Sequence, residues 1–244
     1  MGCVSDDVYS GHHWRTLYEA LCSGEETDML WRWLEEHPAH VAEVREAGRE
    51  QRLVDLPDRY STLERLYAVS RILDFLIELR PGVYPAFCEA LGAHRIDREG
   101  FHPFFHEIVE VRQTADPDEP PAIVEERWPG FLMGDLLLAR AGVVVTAGEK
   151  HLVAGVADRS ALYWTFRRGS RPVQDLSHGW GHNSQWRTDM RRDYVTDGLL
   201  RYNVDGDEKP EADWMIEIVR HRCSTVVDYG DDLFPYDCHH VEPL

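Results

Sequence analysis

The sequence predicts an α+β fold, with a helical N-terminal part followed by a mainly antiparallel sheet with inserted helices. Two observations predict it. Up to about residue 95, apolar residues recur at helical spacing between cap and proline signals. Beyond that point the chain breaks into short runs rich in β-branched and aromatic residues. With 244 residues, 43% of them hydrophobic, the chain can bury a core without disulfide or metal staples. A boundary near residue 95 would divide a helical part, 1–95, from a mixed β-rich part, 96–244. No flexible linker marks it, so a single domain over 1–244 is expected.

The elements follow in order. HWRTLYEALC is amphipathic. TDMLWRWLEE starts at Thr27, a capping residue, and stops before Pro38. Residues 38 to 52 continue as a helix, with Pro38 suited to its first turn. In STLERLYAVSRILDFLIELRPG, Ser61 and Glu64 form a capping-box pattern, and Pro81 with Gly82 ends the segment. Its apolar residues Leu63, Leu66, Tyr67, Val69, Ile72, Leu73, Leu76 and Ile77 cover most of the surface, which predicts the central helix of the N-terminal half. VYPAFCEALG is a short helix. FFHEIVEVRQ, GVVVTAG, SALYWTFRR and LLRYNVDG read as strands. DPDEPP is a loop and Asp205-Gly206 a turn. PEADWMIEIVRHRC reads as a last helix, and the tail DYGDDLFPYDCHHVEPL as irregular.

Bulk properties narrow the function. The formal charge of −18 opposes nucleic acid duplexes and anionic membranes, and suits a basic partner. The cysteines, at 3, 22, 88, 223 and 238, are odd in number and form no CxxC pair, so a reducing, cytoplasmic setting is expected. The opening MGCVSDD lacks the apolar run of a signal peptide. Arginine greatly outnumbers lysine, as in GC-rich bacterial coding sequences.

One stretch stands out chemically: HGWGHNSQWRTDMRRDY, residues 178 to 194. Asn183 is a good N-cap, and Trp186, Met190 and Tyr194 recur every four residues after it. A glycine-containing turn feeding a helix N-terminus presents backbone N–H groups to an anion. Residues 159 to 192 hold seven arginines against two acids, a net +5 that leaves −23 for the rest of the chain. Arg187 and Arg191 are candidates to grip an anionic group, with Asn183, Gln185 and Trp180 beside them. The competing reading is that these arginines neutralise the protein's own carboxylates, Asp189 and Asp193 among them. GWGHNS resembles GxGxxG, but no strand directly precedes it, so a dinucleotide fold is rejected.

His178 and His182 are four residues apart, as are His102 and His106. That spacing brings two imidazoles to one face of a helix or of a strand. The four form a candidate set for a divalent transition metal, to which Glu107 or Asp175 could add a carboxylate. Without metal, His178 and His182 are candidate proton-transfer groups, with Asp189 as the associated carboxylate. The competing reading is ordinary surface or core histidines, since the chain has 13. NVDGDE lacks the spacing of a calcium loop and reads as a turn, and the histidines of the tail read as solvated. Two functions are therefore expected. One is an enzyme for a small or peptide substrate with an anionic group, and the other an acidic binding protein, immunity- or antitoxin-like, that docks a basic protein.

Overall fold

The computed structural model describes residues 10–24, 26–49, 59–155, 157–158, 192–206 and 239–244. The stretch 159–191, the strand expected at 160–168 and the helix expected at 210–223 lie outside the described residues. Among the described residues five helices come first: α1 (Ser10–Cys22), α2 (Thr27–Glu36), α3 (Pro38–Ala47), α4 (Arg59–Leu79) and α5 (Tyr84–Ala90). Nine strands follow: β1 (His94–Arg95), β2 (His106–Gln113), β3 (Ala122–Trp128), β4 (Phe131–Met133), β5 (Leu136–Ala139), β6 (Ala141–Ala147), β7 (Tyr194–Thr196), β8 (Leu199–Tyr202) and β9 (His240–Pro243). The fold is α+β, mainly antiparallel, with its helices in the N-terminal part.

Helix boundaries mostly follow the sequence signals. Pro38 opens α3 at its first position. Thr27 is the first helical residue of α2 rather than its cap; Glu26 holds the cap position and makes no side-chain cap bond. Ser61 and Glu64 form no capping box, because α4 starts before them, at Arg59. All eight apolar residues expected on α4 are buried, so α4 is the central helix.

The strands form two sheets. One has six strands in the order β1-β4-β5-β7-β8-β9, all antiparallel. The other has three, β2-β6-β3, with β2 parallel and β3 antiparallel to β6. Period-two alternation splits the larger sheet between two cores. Phe131, Met133, Leu136, Leu138 and Tyr194 pack with the helices, while Leu137, Leu200 and Tyr202 on the other face pack with Phe104 and Phe105. The helices and one face of the larger sheet thus share a core, and the other face and the smaller sheet have clusters of their own.

Two local signals went unread in the sequence. The β7–β8 hairpin turns at Asp197-Gly198, with φ of 54° and 73° and Thr196 paired to Leu199. That two-residue Asp-Gly loop is a standard hairpin signal. The tail is not irregular throughout, because β9 covers the edge that β8 would otherwise leave with unpaired backbone groups.

In the smaller sheet the Trp128 indole lies across Gly142, its register partner, and donates Nε1–H to the Arg140 carbonyl at 3.1 Å. A Cβ on Gly142 would come within 2.2 Å of the ring. Gly142→Ala is expected to lower unfolding free energy by about 1–3 kcal/mol through overpacking. Urea denaturation checks this, and an effect within about 0.5 kcal/mol, as for neutral surface changes, would contradict it.

Candidate functional site

Of the candidate site residues, His102, His106 and Glu107 are described, and Glu107 is buried on β2 as the residue after His106. His178, Trp180, His182, Asn183, Gln185, Arg187, Asp189 and Arg191 lie outside the described residues. His102 precedes a turn over Pro103–Phe105, and His106 is the first residue of β2. The two meet through the backbone of this turn. His102 N–H donates to His106 Nδ1 at 3.0 Å, and Phe104 N–H donates to His102 Nδ1 at 3.1 Å. Accepting that bond places the proton of neutral His102 on Nε2. Nε2 faces Glu242 Oε1 at 3.9 Å. Among the described residues, no group of three His, Cys, Asp or Glu side chains could hold a metal ion.

Glu242 was not singled out in the sequence. It lies on β9, two residues after His240, so both side chains project to one face. The register pairs His240 with Tyr202 and Glu242 with Leu200. Tyr202 therefore reaches Glu242 diagonally and donates its hydroxyl at 2.8 Å. His240 Nε2 stands 3.7 Å from the other carboxylate oxygen. Glu242 is buried. Burial pushes the Tyr202 phenol well above its ordinary value, and the charge of Glu242 adds to this. Tyr202 is thus a fixed proton donor across the working pH range. His239 and His240 are half-buried rather than solvated, because β9 joins the sheet. The legible signal was the alternation His240-Val241-Glu242 beside a strand that needed a partner.

A second part of this polar seam lies at Arg192, the last arginine of the basic stretch, and at Asp193 beside it. Asp193 is buried, binds Arg140 and accepts the Asn203 N–H at 2.8 Å. Asn203 takes φ of 49°, a shape asparagine tolerates better than most residues. Arg140 also donates to the Pro103 carbonyl at 3.3 Å, inside the His102 turn. Both Arg140 and Asp193 act electrostatically on Tyr202. The seam therefore runs from Asp193 through Arg140 to the His102 turn, and through Asn203 to Tyr202 and Glu242.

Arg192 is fully buried. Its Nε and Nη2 donate to the two oxygens of Asp205 at 2.7 and 2.9 Å, and Nη1 donates to Tyr194 Oη at 2.6 Å. The Tyr194 hydroxyl in turn donates to the Ala47 carbonyl at the end of α3, at 2.6 Å. Burial opposes the charge of Arg192, but Asp205 and Tyr194 outweigh it and hold the guanidinium above its ordinary value. For this arginine the self-neutralising reading holds: it serves the protein's own carboxylate. Asp205, in the stretch that superficially resembled a calcium loop, is that partner. Asp193 is neutralised by Arg140, from outside the basic stretch.

Cys88 is buried, and burial pushes its thiol far above the ordinary range, which removes it as a nucleophile. A comparison with known protein families, with curated proteins and with solved structures finds no match. No helix among the described residues is long and apolar enough to cross a membrane.

Removing one partner from a buried bidentate ion pair strands the other charge. Asp205→Ala is therefore expected to cost about 3–5 kcal/mol, and pairing it with Arg192→Met to recover part of the loss. Denaturant unfolding of the single and double variants checks this. Losses that simply add would show that the two side chains are not coupled.

Proposed function

We propose that the chain is an enzyme acting on a small or peptide substrate with an anionic group. The observation that carries this reading is the polar seam of Asp193, Arg140, Tyr202 and Glu242. A buried carboxylate, Glu242, holds a fixed donor from Tyr202 and faces the imidazoles of His102 and His240. Buried carboxylates and imidazoles close together are the means of moving protons near neutral pH. In this reading His178 and His182 carry the proton, with Asp189 as the associated carboxylate, or they hold a metal together with His102 and His106. Arg187 and Arg191 bind the anionic group by forked guanidinium bonds, supported by Asn183, Gln185 and Trp180. Arg192 is assigned to the scaffold.

The second reading, an acidic protein that docks a basic protein partner, rests on the −23 carried outside residues 159–192. Anion binding separates the two. Phosphate or sulfate at constant ionic strength is expected to raise the melting temperature of the wild type, and Arg187→Ala to abolish the increment. Equal increments in both proteins would overturn the enzyme reading's anion site.

Metal content separates the two proton chemistries. If the four histidines share a metal, protein purified without an affinity tag should carry near one equivalent, and His182→Ala should lose most of it. Elemental analysis of both proteins is the check. A metal-free wild type that zinc, iron and copper all fail to reconstitute leaves metal-free acid–base chemistry.

A further inference from the structure

A groove of about 320 Å³ lies between α2, α3 and the C-terminal end of α5. It shares no lining residue with the polar seam. Trp31, Leu34 and Val41 are in its apolar lining, and the exposed side chains of Glu35 and Arg45 are its charged lining. Val41 is buried, while Trp31 and Leu34 are half-exposed, so the described residues cover this apolar surface only in part.

Arg45 is held in one orientation. Its Nε donates to the Leu91 carbonyl at 3.0 Å and its Nη2 to the Ala90 carbonyl at 2.8 Å. These are carbonyls at the end of α5, where a cation is favoured. Gly92 takes φ of +83°, and a Cβ there would stand 3.0 Å from Arg45 Nε, so the glycine leaves room for the guanidinium. The two bonds use the side edge of the guanidinium. Its end edge, formed by Nη1 and the second hydrogen of Nη2, has no acceptor among the described residues. That edge presents two parallel N–H groups, the geometry that matches a carboxylate. Capping α5 accounts for the side edge alone. It gives no reason for an apolar lining of aromatic and aliphatic side chains beside the free edge.

We propose that this groove binds a small amphipathic monocarboxylate. Its carboxylate forks onto the end edge of Arg45, and its apolar tail lies on Trp31, Leu34 and Val41. Because two backbone carbonyls already fix the guanidinium, little side-chain freedom is lost on binding. Glu35 in the lining disfavours a second negative charge on the ligand.

The test is calorimetric titration of octanoate into the full chain, with octanol and suberate as matched probes. Octanoate should bind saturably, with octanol and suberate each weaker by about tenfold or more, the scale of one lost charge-assisted pair or one added repulsion. Arg45→Gln and, separately, Leu34→Gln should each weaken octanoate by a similar factor. Arg45→Gln also removes the cap on α5, so the dissociation constant is the readout rather than basal stability. Leu34 is half-exposed, and its variant keeps the test sound if Arg45→Gln folds poorly. No saturable heat with octanoate would overturn the proposal. So would equal affinity for octanoate and octanol, or unchanged affinity in both variants.

Discussion

The burial of Arg192 is the constraint on which the junction of helices and sheet depends. A guanidinium removed from water carries a penalty of several kcal/mol unless its donors are matched. Here the match draws on three separate parts of the chain. Asp205, past the end of β8, supplies both carboxylate oxygens, and Tyr194 on β7 supplies a phenol oxygen. Ala47, at the end of α3, receives the tyrosine hydroxyl. Satisfying one buried cation therefore fixes β7 against the turn after β8, and the sheet against the helices. Gly48 continues this contact: its carbonyl accepts the Asp135 N–H at 3.2 Å, and a Cβ there would collide with the Met133 carbonyl at 2.3 Å.

The neighbouring residue extends the logic to the other face of the sheet. Asp193 pairs with Arg140, which also binds the backbone of the His102 turn. Tyr202 packs edge-on against Phe104 of that turn, with centroids 5.0 Å apart, and holds Glu242 through its hydroxyl. Two adjacent residues, Arg192 and Asp193, thus anchor opposite sides of one sheet. The alternation of side chains along an extended strand makes this division natural. The groove at Arg45 stands apart: helices alone build it, and its cation is oriented by backbone carbonyls rather than by a carboxylate.

The sequence by itself determined the elements whose signals are local. The apolar periodicity of residues 63–77 specifies a helix buried nearly all round, because such a surface has no side suited to water. Pro38 sets the start of α3, because its fixed φ suits a first turn and its missing N–H is not needed there. The β-branched run from 143 to 145 specifies a buried strand. Asp197-Gly198 was equally legible as a hairpin turn.

Tertiary structure decided what depends on partners distant in the chain. The spacing of His102 and His106 suggested side chains projecting together from one regular element. Instead, Phe104 N–H in the turn donates to His102 Nδ1, and the backbone N–H of His102 donates to His106 Nδ1. Glu242 carried no signal beyond the alternation His240-Val241-Glu242, which is ordinary until β9 pairs with β8 and brings its carboxylate to the Tyr202 hydroxyl. Arg192 read as one member of a basic stretch; only folding set Asp205 beside it and turned a surface charge into a buried tie. Local sequence encodes backbone preference and apolar periodicity, which act over a few residues. The pairing of a charge depends on which distant groups share its low-dielectric surroundings, and the packing of the sheet alone fixes that.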